Sequence, residues 1–429
     1  MIDPRSLQER RDEILESARR RRVTVDLDGA IALQQRLAAL QTELNEAGRR
    51  RNEHQEAGKR KLAPEERERH TAEGRRLKEE VARLEREALA ARAELDAALA
   101  AIPNFVHPEV PEGGEDDGRE LRRVGTPPRF EFAPRDHVAV AEALEGIDFE
   151  GGARVAGQKW YFLKNDLVLL ELALQRYALD VLLEDGFTPF VTPDVARPEI
   201  VDGLGYAPRG PETQIYSLAN ADLCLVGTAE ITLGGLQADS VLEEEVLPLK
   251  YAGISHCFRT EAGAHGRESK GLYRVHQFTK VEMFAFTRPE DSEAMHAHLL
   301  ELEERIFQGL ELPYRIVDIA AGDLGAPAYR KFDLEAWMPG RGEGGAYGEV
   351  TSTSNCTDYQ SRRLRVRFRR KGGKRPELVH MLNGTAVANS RAIVAVLENH
   401  QRADGTVAVP KALRPYVGRD VLRPPPTAR

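Results

Sequence analysis

Apolar side chains in the first hundred residues follow the spacing of a coiled coil. They recur at alternating intervals of four and three residues in two segments, namely Leu33, Leu37, Leu40, Leu44 and Ala47, then Leu77, Val81, Leu84, Ala88, Ala91, Leu95 and Ala98. This spacing keeps one stripe of a helix apolar, as the packing of two long helices requires. The pattern therefore predicts two long helices that pack against each other.

The segment 48–62 separates the two helices and has no apolar period. Pro64, followed by Glu65 and Glu66, suits the first turn of the second helix, because that turn leaves N–H groups free and favours negative charge. Since the connection is short compared with the helices, we expect an antiparallel hairpin that projects as an arm. Its tip would be a loop over 48–62.

The predicted tip is basic. Its cations are Arg49, Arg50, Arg51, Lys59, Arg60 and Lys61, against Glu53 and Glu56, which gives a local charge of +4. Residues 1–100 carry only +1 in total, and the remaining residues carry −9. Two interpretations are open: a solvated loop, as most such charge runs are, or a surface that contacts the phosphates of a nucleic acid.

Residues 103–135 contain six prolines and no helical period, and they are predicted to form a linker. After it, helices alternate with short β-rich runs at irregular intervals. We expect helices at 165–184, 291–309 and 386–399, and strands at 187–191, 254–259, 274–286, 346–353 and 378–383. Because there is no regular βα alternation, the pattern favours an α+β domain with an antiparallel sheet.

The composition indicates a cytoplasmic protein outside the membrane. The chain has 429 residues, of which 41% are hydrophobic and 30% charged, and no run approaches about 18 apolar residues. Cys224, Cys257 and Cys356 are odd in number and far apart, which argues against a disulfide framework or a structural zinc site.

Two neighbouring segments could form a charged surface for a nucleotide. In a strand over 274–284, one face would carry Arg274, His276, Phe278, Lys280 and Glu282, and the other Val275, Val281 and Met283. The segment 254–261 likewise has Cys257, Arg259 and Glu261 on one face. Guanidinium groups match phosphate oxygens and an aromatic ring can stack on a base, although a half-exposed strand with paired charges is the simpler alternative. The glycine motifs of P-loop and Rossmann sites are absent.

Two later segments carry further candidates. Glu349 and Ser352 could give oxygen ligands to a divalent cation, or they could belong to an edge strand rich in threonine and serine. Arg391 lies near the start of a predicted helix, where a cation opposes the helix dipole, so an anionic ligand would explain it.

Together these segments resemble the class II aminoacyl-tRNA synthetases, and over essentially the whole chain the sequence is similar to the bacterial-type seryl-tRNA synthetases. The three class signatures match the helix ending at Gly186 with its following strand, then 258–261 with 274–284, then 384–398. The motifs 227–230 and 349–352 lie between them. The resemblance implies an N-terminal tRNA-binding domain over 1–102, the linker over 103–135, and an antiparallel-sheet catalytic domain over 136–429.

The resemblance also implies the roles of individual residues. ATP would contact Arg259, Thr260, Glu261, Arg274, Val275, Phe278, Glu349, Val350, Thr351, Ser352 and Arg391. Serine would contact Thr228, Ala229, Glu230, Arg259, Glu282, Asn383 and Thr385. Arg259, Glu282 and Arg391 would be catalytic, and Glu349 with Ser352 would position Mg²⁺. The cations of the tip would contact the long variable arm of tRNA(Ser).

The implied activity is ATP-dependent conversion of L-serine to seryl-adenylate, followed by transfer of the seryl group to the 3′ end of tRNA(Ser) and also of tRNA(Sec). The helix at 165–184 is more apolar than one buried face requires, and in this class it forms a homodimer interface. Two alternatives are a paralogue that activates an amino acid for a non-tRNA carrier, and a coiled-coil interaction protein with a degenerate catalytic domain.

Overall fold

The computed structural model describes residues 1–60, 63–206, 213–262 and 270–426. The chain divides into two compact units, Met1–Phe105 and Val106–Arg429. In the described part of the chain, no helix combines the length and the apolar character that crossing a membrane requires.

The first unit is helical. Its helices are α1 (Arg11–Arg20), α2 (Leu27–Ala57) and α3 (Pro64–Ala100). Asp26 caps α2 by accepting a hydrogen bond from the backbone N–H of Gly29, and Pro64 occupies the first turn of α3, as predicted. Arg36 lies 3.0 Å from Glu94, whereas residues nearer the end of α2 contact the beginning of α3. The long helices therefore form the predicted antiparallel hairpin.

The predicted loop at the tip is shorter than expected. Residues 48–57 are helical, because α2 continues to Ala57. The segment has no large apolar residue, but its arginine, glutamate, glutamine and alanine residues all favour a helix. Contact with α3 is made by His54, whose ring stacks on that of His70 with centroids 3.7 Å apart. The connection is thus confined to 58–63, of which 61–62 lie outside the described residues.

The second unit is built around a mixed sheet. Its helices are α4 (His137–Ala143), α5 (Phe149–Ala156), α6 (Asp166–Glu184), α7 (Pro198–Gly203), α8 (Ala229–Gly235), α9 (Ser292–Gly309), α10 (Tyr359–Leu364), α11 (Asn389–His400) and α12 (Arg414–Val417). Its strands are β1 (Arg119–Val124), β2 (Ile147–Asp148), β3 (Phe162–Leu163), β4 (Thr188–Val191), β5 (Val195–Ala196), β6 (Cys224–Leu225), β7 (Val241–Glu243), β8 (Leu249–Phe258), β9 (Gln277–Thr287), β10 (Tyr314–Asp318), β11 (Arg330–Met338), β12 (Ala346–Asn355), β13 (Arg367–Arg369), β14 (Glu377–Leu378), β15 (His380–Ala388), β16 (Val407–Ala408) and β17 (Val421–Leu422).

The main sheet has eight strands in the order β1-β10-β11-β12-β15-β9-β8-β4. All neighbours are antiparallel except β4 and β8. Apolar residues of α6, α9 and α11 pack against alternate residues of the central strands, such as Val281 and Met283 of β9, to form the largest core. The predicted α+β architecture with an antiparallel sheet is confirmed.

The predicted linker over 103–135 is wrong from Val106 onward. Val106 and Val110 are buried with Val317 and Ile319 in a small apolar cluster, and β1 pairs with β10 at the edge of the main sheet. The prolines and glycines of this segment all lie outside β1, which leaves six consecutive residues free to join the sheet. The second unit therefore begins about thirty residues before the predicted boundary at 136.

Candidate active site

A cavity of about 720 Å³ lies in the second unit, where β9, β12 and β15 meet the start of α11. Most of the predicted site residues line it, namely Glu230, Arg259, Glu261, Arg274, Val275, Phe278, Glu282, Glu349, Val350, Thr351, Ser352, Asn383, Thr385 and Arg391. Residues from segments more than 150 positions apart in sequence thus face one space.

Three of the residues predicted to contact ATP or serine do not line the cavity. Thr228 caps α8, and its hydroxyl accepts a hydrogen bond from the backbone N–H of Glu230 at 3.2 Å. Ala229 is buried in an apolar cluster. The hydroxyl of Thr260 donates to the carbonyl of Thr213 at 2.6 Å. In this structure these residues hold the segments that carry Glu230 and Arg259.

The predicted alternation of β9 holds for Phe278, Lys280 and Glu282, which all line the cavity. It fails before Gln277, where β9 begins, because the preceding residues are not extended as a strand. Arg274 and its neighbour Val275 therefore both face the cavity. His276 was predicted on the same face, but its Nδ1 lies 2.9 Å from the carbonyl oxygen of Arg259 and it does not line the cavity. Cys257 is buried below the surface.

One part of the cavity has cations beside an aromatic ring. The guanidinium of Arg259 lies 5.3 Å from the centre of the Phe278 ring. Arg274 donates from Nη1 to Glu261 at 3.3 Å, and its buried Nε has no hydrogen-bond partner among the described residues. An unpartnered buried N–H group is costly, so an acceptor such as a phosphate oxygen would stabilise this arrangement.

Glu349 and Ser352 reach the cavity through an irregularity in the sheet. They are three residues apart and would lie on opposite faces of a regular strand. A register shift in the pairing of β12 with β11 leaves Val350 as an extra residue, and both Glu349 and Ser352 line the cavity. Arg391 Nη1 is 2.9 Å from Glu349 Oε2. Burial opposes ionisation of Glu349, but Arg391 and then Lys331 outweigh it and lower its pKa to about 2.

A second part of the cavity holds buried carboxyl groups. Glu282 forms an ion pair with Lys280, and both side chains are buried. Burial raises the pKa of Glu282 to about 7, a shift that Lys280 opposes and the nearby carboxyl of Glu230 increases. Thr385 faces Glu282 across the β15–β9 ladder, and its hydroxyl is 3.4 Å from Glu282 Oε2. Asn383 completes this end of the cavity. The group offers carboxylates and hydroxyl partners in a small volume.

The structure adds residues that the sequence did not assign to the site. Glu230 accepts hydrogen bonds from the hydroxyl of Tyr206 and from Nε2 of Gln360, each at 2.7 Å. Tyr273 lines the cavity, and its hydroxyl donates to the carbonyl oxygen of Glu349 at 3.0 Å. Lys280 also lines the cavity, and it is the one added residue that the sequence pattern indicated, since it shares the predicted face of β9 with Glu282. Tyr206 and Gln360 are far from Glu230 in sequence and match no pattern.

Two family models match the chain. The model of the seryl-tRNA synthetase N-terminal domain matches residues 1–106, and the tRNA synthetase class II core domain (G, H, P, S and T) matches residues 216–400. The serine–tRNA ligase of Treponema denticola is 52% identical over 98% of this chain and 99% of its own length.

Solved structures agree with these matches. A crystal structure of seryl-tRNA synthetase from Pyrococcus horikoshii complexed with ATP is 38% identical, with a TM-score of 0.89 over 99% of this chain and 100% of that chain. A cytoplasmic serine–tRNA ligase from Naegleria fowleri in complex with AMP is 35% identical, with a TM-score of 0.84 over 99% of each chain.

The N-terminal model is specific to seryl-tRNA synthetases, the core model is shared by several class II synthetases, and a serine–tRNA ligase matches nearly the full length of the chain. The chain, with its helical hairpin, antiparallel sheet and lined cavity, therefore belongs to the seryl-tRNA synthetase family.

Proposed function

We propose that the cavity binds ATP and L-serine side by side, joins them as seryl-adenylate, and then passes the seryl group to the 3′ end of tRNA(Ser). The chain is a serine–tRNA ligase by its family. The observation that carries the assignment of the site is the division of one cavity into an arginine and phenylalanine end and a carboxyl and hydroxyl end. These ends suit a nucleoside triphosphate and a small hydroxylated zwitterion respectively.

The nucleotide would be held by the first end. Phe278 offers a face for the adenine ring, and Arg259 and Arg391 offset the charge of the phosphates. A carboxylate oxygen of serine then bonds to the α-phosphorus, while the bond from that phosphorus to the bridging oxygen breaks and pyrophosphate leaves with the electron pair. The reaction needs orientation and charge stabilisation, and no covalent enzyme nucleophile.

Glu349 and Ser352 are the residues that would hold Mg²⁺ beside the phosphates. The low pKa of Glu349 keeps its carboxylate ionised at neutral pH, and Ser352 adds a neutral oxygen. Such a donor set fits Mg²⁺, which commonly binds nucleotide sites through one or two carboxylates together with substrate phosphates. When bound, the ion neutralises part of the charge on the phosphate oxygens.

Serine would occupy the second end. Its ammonium group needs acceptors, which Glu282 and Glu230 provide, and its hydroxyl finds partners in Glu282 and Thr385. Alanine would leave these buried polar groups without a partner, which is costly, whereas threonine has to be excluded by the space for one extra methyl group.

The arm would bind tRNA through its tip. Arg49 lies 3.7 Å from Glu53, Arg50 2.7 Å from Glu80, and Lys59 2.6 Å from Glu56. The pairs of Arg49 and Lys59 are solvent-exposed and that of Arg50 is partly exposed. Exposed pairs are worth only about 0–1 kcal/mol each, so the cations can exchange their carboxylate partners for phosphates. Arg60 is exposed, Arg51 is half-buried, and Lys61 lies outside the described residues.

A symmetric dimer would cover part of α6. Val168, Leu172 and Leu183 lie on one side of this helix and are 38%, 56% and 41% exposed. A second copy of the chain can bury this apolar surface against its own equivalent. We further propose that the enzyme acts in the cytoplasm, where its tRNA substrate is used.

Amino-acid-dependent exchange of pyrophosphate into ATP tests this function. The purified enzyme is assayed with each of the twenty amino acids, and then with serine and tRNA(Ser) for ester formation. We expect exchange with serine alone and charging of tRNA(Ser). Exchange with a different amino acid would contradict the proposed pocket, and exchange with serine without charging of tRNA would support the carrier alternative.

A further inference from the structure

His137, the first residue of α4, joins three segments of the second unit. Its side chain is buried, with Nδ1 2.8 Å from Glu398 Oε1 in α11. Its other ring nitrogen, Nε2, lies 3.2 Å from the backbone nitrogen of Leu272. The neighbouring Asp136 forms an ion pair with Lys270, so the same junction is linked a second time.

The partners of His137 determine which of its ring nitrogens carries the proton. The backbone N–H of Leu272 can only donate, so Nε2 must accept and the ring proton must lie on Nδ1, which donates to Glu398. The buried carboxylate of Glu398 also accepts the backbone N–H groups of His137 at 3.0 Å and of Gly340 at 2.8 Å. At this junction Nδ1 of His137 is therefore a donor, and its Nε2 and the Glu398 carboxylate are acceptors.

The segment next to Leu272 belongs to the nucleotide end of the cavity. Tyr273, Arg274 and Val275 follow it directly and all line the cavity. Gly271 precedes it with φ of +61°, and a Cβ atom there would lie 2.2 Å from His137 Nε2, so the close approach requires glycine.

The other side of the junction carries a second cavity residue. Arg391 and Glu398 lie on the same helix, α11, about two turns apart. The guanidinium of Arg391 lies 4.8 Å from the centre of the Tyr273 ring. His137 and Glu398 thus connect the helix that presents Arg391 to the segment that presents Tyr273 and Arg274.

We propose that His137 and Glu398 form a positioning dyad for ATP, in which the hydrogen bond from Leu272 to His137 sets the place of the 273–275 segment relative to Arg391. This inference rests on the proposed function, because it assumes that ATP occupies that end of the cavity. The bland alternative is a buried polar pair that contributes only to folding.

Two substitutions separate the two hydrogen bonds of His137. In His137→Gln the amide oxygen can occupy the position of Nε2 and still accept from Leu272. In His137→Asn the shorter amide can replace Nδ1 toward Glu398 but leaves the N–H of Leu272 without a partner. Serine-dependent pyrophosphate exchange is measured for both, with separate KM values for ATP and serine, together with the melting temperature.

We expect His137→Asn to raise the KM for ATP by about tenfold or more, the effect of an unpaired buried donor, with the KM for serine changed less than about twofold. His137→Gln should raise the KM for ATP less than His137→Asn does, because its amide oxygen can still accept from Leu272 and the backbone N–H at position 137 still donates to Glu398. The control is His400→Ala, which removes a part-buried histidine of α11 whose Nε2 contacts the carbonyl of Leu310, and which should lower stability without changing the KM for ATP.

The dyad would be refuted by equal KM values for ATP in wild type and His137→Asn. It would also be refuted if the two variants lost the same amount of activity and that loss matched the fall in their melting temperatures relative to wild type. The two proposals remain distinguishable, since absence of serine-dependent exchange in the wild-type enzyme would overturn the proposed function itself.

Discussion

The hydrogen bond from Tyr206 to Glu230 gives the sharpest test of the serine end of the cavity. Burial, and then the charge of Glu230, hold the pKa of Tyr206 well above its usual value of 10, so its hydroxyl is a donor at neutral pH. Tyr206→Phe removes this donor and keeps the ring. Among the described residues, the buried side chain of Glu230 then retains only the hydrogen bond from Gln360.

The size of the effect follows from the charge of the acceptor. A hydrogen bond to an ionised group contributes about 1.5–3 kcal/mol, so the loss of one donor raises the free energy of the ionised Glu230 by about 2 kcal/mol. If the serine ammonium group requires that ionised form, affinity for serine falls by up to about 30-fold at a pH where the free enzyme holds Glu230 protonated, since 1.4 kcal/mol corresponds to a factor of ten.

The loss of serine affinity in Tyr206→Phe should also depend on pH. Burial already raises the pKa of Glu230, and the hydrogen bonds from Tyr206 and Gln360 oppose this rise. Removing Tyr206 therefore raises that pKa further. Because the carboxyl ionises more completely as pH increases, the defect in serine affinity should be larger at pH 6 than at pH 8.5.

The assay is serine-dependent pyrophosphate exchange, with the KM for serine and for ATP measured at both pH values. Tyr251→Phe is a matched control, because the Tyr251 hydroxyl accepts a hydrogen bond from Gln237 at 2.9 Å and the residue does not line the cavity. We expect the control to leave both KM values unchanged. A Tyr206→Phe enzyme with normal KM for serine, or with equal losses for serine and ATP, would refute the reasoning.

Three further predictions concern the arm, the dimer and pH. Arg49→Ala combined with Lys59→Ala should raise the KM for tRNA(Ser) severalfold at low salt and leave pyrophosphate exchange intact; equal loss of both activities would show the tRNA assignment to be wrong. Leu172→Glu should shift the light-scattering mass from that of a dimer to that of a monomer, and a wild-type monomer at micromolar concentration would contradict the interface. Burial raises the pKa of Glu282 from 4.5 to about 7 on folding, so the folded state binds an extra proton between these values and is destabilised by about 3 kcal/mol as pH rises through them. Urea unfolding at pH 5 and pH 8 should show a smaller difference for Glu282→Gln than for wild type; an equal difference would contradict the assigned pKa.

Local periodicity determined much of this protein. The alternation of four and three residues predicts α2 and α3, because helix packing depends on spacing along one segment. The two-residue period of a strand likewise places Phe278, Lys280 and Glu282 on one face of β9, because it too depends only on spacing along one segment. The helical tip over 48–57 and the strand β1 were missed, since a helix can form from polar residues and an edge strand can begin between proline-rich turns.

The tertiary structure alone decided how the site is completed. The extra residue at Val350 depends on how β12 pairs with β11, and a single strand read by itself predicts Glu349 and Ser352 on opposite faces. Gln360 reaches Glu230 across 130 positions, and His137 reaches Glu398 across 261. Such contacts arise because the packing of the sheet and its helices brings distant segments together. A hydrogen bond between two distant side chains produces no periodic pattern in the sequence, so the sequence alone does not predict it.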